Sequence, residues 1–101
     1  MGKVIAEVTV VPLGTASTSL SAYVAAVENV LKSFPRLKTL LTPMSTILEG
    51  EADDVLAAVK AMHEAPFRMG ALRVSTTLRI DDRRDKPLTM AGKMATVKSK
   101  L

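Results

Sequence analysis

The spacing of apolar residues changes period along this chain, and the order of those changes constrains the fold more than any other feature. Val4, Ala6, Val8 and Val10 alternate with Ile5, Glu7, Thr9 and Val11, which predicts a strand over residues 3–12. Leu20, Val24, Val27, Leu31 and Phe34 then fall four, three, four and three apart. That is one face of a helix over residues 19–34, widened by Tyr23 and Val30. Hydroxyls in the run 15–19 are candidate N-caps, and Pro35 ends the helix. Residues 37–42 and 46–51 read as two short strands joined around Pro43, Met44 and Ser45. Asp53 and Asp54 suit the first turn of a second helix. Its apolar positions are Val55, Leu56, Val59, Met62 and His63, and Pro66 is its expected end. Leu72, Val74, Leu78 and Ile80, alternating with Arg73, Ser75, Thr77 and Arg79, predict a fourth strand. Pro87 or Thr89 opens a last helix, striped by Met90, Met94, Val97 and Leu101.

Read in sequence this is β-α-β-β-α-β plus a C-terminal helix, the split-βαβ or ferredoxin-like pattern of the α+β class. It predicts an antiparallel four-stranded sheet ordered 4-1-3-2 with both long helices on one side. The 101 residues make one domain, 1–101, with 87–101 as an appended helix. Aromatic residues are only 3% against 48% apolar, so the core must be aliphatic and methionine-built. The sheet side away from the helices would carry Ile5, Glu7, Thr9, Val11, Ile47, Glu49, Arg73, Ser75, Thr77 and Arg79. That mixture is too apolar for a fully wet surface and suits a subunit interface. Glu7 on the central strand faces Arg73 and Arg79, either as a cross-strand ion pair or as a ligand-facing carboxylate.

Much chemistry is excluded. No cysteine is present, which removes disulfides, thiolate metal sites and cysteine nucleophiles. His63 is the only histidine and has no partner for a metal site. Ser17, Ser19, Ser21 and Ser45 have no evident base. PLGTAST has one glycine and no GK[ST], so it is a phosphate loop only in outline, although the amides of Thr18 to Leu20 could hold an anion or a ring nitrogen. Tyr23, Phe34 and Phe67 all fall on or beside helices, which leaves no stacking platform for RNA. The net charge of +4 is spread out, and Arg83 and Arg84 are interleaved with Asp81, Asp82 and Asp85. No apolar run reaches the ~18 residues a membrane span requires. A cytoplasmic protein without catalysis, metal or nucleic-acid partner is expected.

Three segments carry a family resemblance. They are VTVVPLGTASTSLSAYVA (8–25), LTPMSTILEGEADDV (41–55) and RVSTTLRIDDRRDKPLTMAGKMATV (73–97). Together they resemble the thiamine-binding-protein family, also called YkoF-like: a strand ending in P-x-G, a serine-rich helix start with tyrosine-valine, a P-M-G-T hairpin running into E-G-E, and an R-V-x-T strand before a D-D-R-R-D-K run. His63-Glu64 fits as well. Ser45 stands where the family hairpin has glycine. The resemblance implies a ferredoxin-like fold assembled as a dimer of dimers. It also implies binding of thiamine or its hydroxymethylpyrimidine moiety without turnover, and no other cofactor.

An aminopyrimidine needs in-plane donors and acceptors and apolar walls. Candidates for the polar edge are Ser17 and Ser19 at the first helix start and the groups around Pro43, Ser45 and Thr46. Met44 and Tyr23 are candidate walls, and Glu49 is the candidate carboxylate for a cationic thiazolium. The alternative is a structural or regulatory oligomer that binds a protein partner or another small effector.

Overall fold

The computed structural model describes residues 2–101. Strand β1 (Lys3–Pro12) leads to helix α1 (Ser21–Asn29), and a hairpin of β2 (Lys38–Leu41) and β3 (Thr46–Glu51) follows. Helix α2 (Ala52–Arg68), strand β4 (Val74–Asp81) and helix α3 (Met90–Lys98) complete the chain. The sheet order is β2-β3-β1-β4 with every neighbouring pair antiparallel, the expected 4-1-3-2 arrangement. The fold is ferredoxin-like α+β.

The alternation in β1 sorts its side chains as expected. Val4, Ala6 and Val8 are at most 1% exposed beneath α1 and α2, whereas Ile5, Glu7, Thr9 and Val11 on the other side are half-buried. Leu48, Val55 and Met62 are fully buried, and Val27, Leu31 and Val59 close the same core. Burying each such side chain stabilises the fold by roughly 1.5–3 kcal/mol. Gly50 leaves room for Leu37 against the sheet: a Cβ at this position would lie 2.5 Å from Leu37 Cδ2.

Local readings fail at four points. Helix α1 begins at Ser21, with Leu20 as N-cap and no capping side chain, because the upstream hydroxyls bond to one another's loop: Thr15 Oγ1 donates to the Ser17 carbonyl (2.9 Å) and Ser17 Oγ accepts from Ser19 N (3.0 Å). The expected helix over 19–34 tightens after Asn29 into a 3-10 turn, Val30–Ser33, and ends before Pro35. Pro66 does not end α2. Its ring is fully buried, which offsets the lost amide bond, and the helix stops instead at Gly70, whose φ of 100° is the left-handed conformation of a helix terminus. Leu72 and Arg73 lie outside β4, and Leu72 is 96% exposed.

Helix α3 crosses the sheet side opposite α1 and α2. In register, Ile5 stands between Glu49 on β3 and Asp81 on β4, and α3 is moored to both ends of that row. Glu49 Oε1 accepts from the Met90 amide (2.5 Å), and Lys93 Nζ donates to Asp81 Oδ2 (2.8 Å). Thr89 caps the helix by accepting from Gly92 N. Its stripe stays open: Met94 is 53% and Val97 48% exposed. Among the described residues no helix is long and apolar enough to cross a membrane.

Candidate functional site

Strand β1 outruns β3. Their pairing ends at Val8 with Thr46, while β1 remains paired to β4 as far as Pro12. The β3-facing backbone edge of residues 9–12 therefore has no strand partner, and a notch opens there. The start of α1 forms one wall and the hairpin turn, residues 42–45, forms the other. The result is a cleft of about 160 Å³.

Its walls are mostly apolar: Val10, Leu20, Val24, Val27, Leu41 and Met62. The polar groups are few and organised. The Thr42 hydroxyl donates to the Ser45 carbonyl (2.8 Å) and accepts from the Ser45 amide (3.0 Å), which closes the turn. Ser45 Oγ donates to Glu7 Oε2 (2.9 Å), tying the turn to the central strand. Glu7 also lies 3.9 Å from Arg79, so the cross-strand ion pair is real and its partner is Arg79. Thr46, 5% exposed, donates from Oγ1 to Glu28 Oε2 at 2.9 Å. Glu28 projects from α1 into the cleft and, among the described residues, has no cationic partner within 4.0 Å and no second side-chain donor.

The cleft brings together Pro43, Met44, Ser45 and Thr46 of the expected site. Ser17 and Ser19 are exposed in the loop before α1 and bond locally, and Tyr23, half-buried on α1, does not line the cleft. Glu49 is 7% exposed on the opposite sheet side, where it holds the start of α3 and lies 3.9 Å from Lys38 Nζ. The carboxylate that does reach the cleft is Glu28. Its position four residues after Val24 and one after Val27, an acid interrupting the apolar stripe of α1, was the available signal.

Larger hollows lie elsewhere, one of 460 Å³ beside the β4–α3 linker and one of 560 Å³ beside the start of α2. Their linings are strongly charged, and several of those charges are paired: Arg83 with Asp85, Lys93 with Asp81, and Arg36 with Asp54. No group of three or more His, Asp or Glu able to hold a metal ion occurs among the described residues.

The fold and the cleft define a small ferredoxin-like domain with a narrow apolar recess at the open end of its hairpin. The chain belongs to the thiamine-binding protein family, whose sequence profile matches residues 6–98. It is 48% identical over 100 residues to the UPF0045 protein YqgV of Bacillus subtilis, covering 96% of each chain. The crystal structure of a hypothetical protein from Methanocaldococcus jannaschii superposes with a TM-score of 0.87 at 38% identity, covering 97% of this chain and 98% of that one. A Thermotoga maritima structure, described as that of a candidate thiamine biosynthesis/salvage protein, shares the fold at a TM-score of 0.76 and 23% identity, covering 94% and 98%.

Proposed function

We propose that this protein binds a thiamine-type aminopyrimidine in the cleft between α1 and the β2–β3 hairpin, as a cytoplasmic homo-oligomer and without turning it over. The family match across residues 6–98 carries the reading, and the cleft supports it. Sites for drug-sized ligands run to roughly 300–1,000 Å³. A recess of about 160 Å³ suits one flat ring. The pyrimidine would enter between Leu20, Val24 and Met44, against the free β1 edge, which offers backbone donors and acceptors in the plane of a strand. The second ring of thiamine would remain outside, beside the exposed Pro43 and Met44 at the lip. Ser45, in place of a glycine, ties the turn at this mouth to Glu7.

Storage, delivery and salvage of the pyrimidine all fit a site of this kind, and the tetramer implied by the family resemblance fits the uncovered sheet side. Isothermal titration with hydroxymethylpyrimidine and with thiamine tests the reading. We expect saturable binding of the free pyrimidine, with thiamine binding through the same ring. No heat from either compound at millimolar concentration, with folded protein, would refute it. A structural or regulatory oligomer is the second reading, favoured by the open sheet side and the α3 stripe. A stoichiometric protein partner with no pyrimidine bound would support it.

A further inference from the structure

We infer that Glu28 is the specificity-determining group of the cleft, reading the exocyclic amine of an aminopyrimidine; this rests on the binding reading above. The carboxylate is half-buried in a cleft whose lining is largely apolar, with Leu20, Val24, Val27 and Met62 among its walls. Thr46 satisfies Oε2 and fixes the side chain in one orientation. Oε1 is left without a protein donor among the described residues, and no lysine or arginine lies within 4.0 Å. Among the other acidic side chains, Glu7 bonds Ser45, Glu49 bonds the Met90 amide, and Asp54, Asp81, Asp82 and Asp85 each pair with a cation, while Glu51, Asp53 and Glu64 lie outside the cleft.

A carboxylate accepts and never donates at neutral pH. Its Oε1 meets solvent in the open cleft, so a ring that displaces that water must supply a donor in its place or leave the charge without one. A flat ring carrying an amine supplies that donor, and its N–H bond to the carboxylate is charge-assisted. A ring carrying a carbonyl at the same position presents an acceptor to Oε1 and is repelled. The cleft should therefore separate two molecules of nearly identical shape by the sense of one hydrogen bond, the situation in which a polar group discriminates best.

The test is titration calorimetry with two probes: hydroxymethylpyrimidine bearing its amine, and the analogue with a carbonyl in place of that amine. The wild-type protein should prefer the amine by at least about tenfold, the effect of one such contact of about 1.4 kcal/mol. Glu28→Gln keeps the side-chain shape and an acceptor for Thr46 but can also donate. It should bring the preference close to unity or reverse it, with the far-ultraviolet spectrum and Tm reporting an intact fold. An unchanged preference in Glu28→Gln, or equal affinities in the wild type, would overturn the role of Glu28 and leave the cleft as the site. Binding of neither probe by folded wild-type protein would overturn the binding reading itself.

Discussion

The residues between β4 and α3 pair their own charges at close range. Arg83 Nε donates to Asp85 Oδ1 at 2.6 Å, and Arg84 Nη2 donates to Asp82 Oδ2 at 2.9 Å. The hydrogen bond from Arg84 holds the Asp82 carboxyl below its usual range, and the one from Arg83 does the same for Asp85. Both carboxylates are thus harder to protonate in the folded chain than in the unfolded one. Their contribution is complete above the ordinary aspartate range and is lost as pH falls through the lowered values. Exposure to solvent keeps that contribution small and sensitive to salt. Side-chain carboxyl titration by NMR should place both midpoints below that of an aspartate in an unstructured peptide, and 1 M salt, with its roughly 3 Å screening length, should move them back toward it. Midpoints at or above the peptide value would show that these pairs do not persist in solution. Glu28 is the counterpart to this linker, a carboxylate left without the cation that the linker acids all have.

At the scale of elements, α3 shows how a helix with almost no packing of its own is held in place. Two polar contacts to the sheet, Met90 to Glu49 and Lys93 to Asp81, moor its first turn. Negative charge at a helix N-terminus is favourable by roughly 0.3–1 kcal/mol, and up to about 2 kcal/mol when partly buried. Glu49→Gln retains the shape and an acceptor but removes the charge. We expect amide exchange across residues 90–98 to quicken about fivefold, the equivalent of 1 kcal/mol, while β1 amides stay protected. Unaltered protection of α3 would show that Thr89 and Lys93 suffice. The elements themselves were legible wherever one face is buried, as in β1, β3 and α2, because burial forces the apolar period into the sequence. Legibility failed where a distant contact decides. Nothing near Pro66 in sequence announces that its ring will be buried, and nothing in residues 15–19 announces that their hydroxyls will turn away from α1. The cleft was half legible for the same reason. Its hairpin wall is a local motif, so Pro43 to Thr46 could be found. Its existence depends on β1 being longer than its partner β3, a mismatch between segments separated by more than thirty residues, and Glu28 gains meaning only once that gap is seen.

The molecule as a whole is a thin, one-sided object. Its principal extents are 45 × 30 × 19 Å, and its radius of gyration of 14.8 Å exceeds the roughly 13 Å of a compact domain of this length. The shortest extent accommodates a sheet and one helical layer, which leaves the opposite side covered only where α3 touches it. Ile5 and Ile47 are half-buried there, Leu40 is 53% exposed, and the Met94 and Val97 stripe continues the same apolar surface. Such a surface is best covered by a second copy, whose own sheet side presents the same mixture of apolar and paired polar groups. Light scattering should therefore find a homo-oligomer at micromolar concentration, and Met94→Glu, which sets a charge in the stripe, should reduce its mass to a smaller species. A wild-type monomer would refute this assembly. The same variant separates assembly from recognition. None of the residues that line the cleft lies on α3, so the dissociated Met94→Glu protein should still bind hydroxymethylpyrimidine within about threefold of the wild type. Loss of binding together with loss of mass would mean that the recess is completed by a neighbouring subunit.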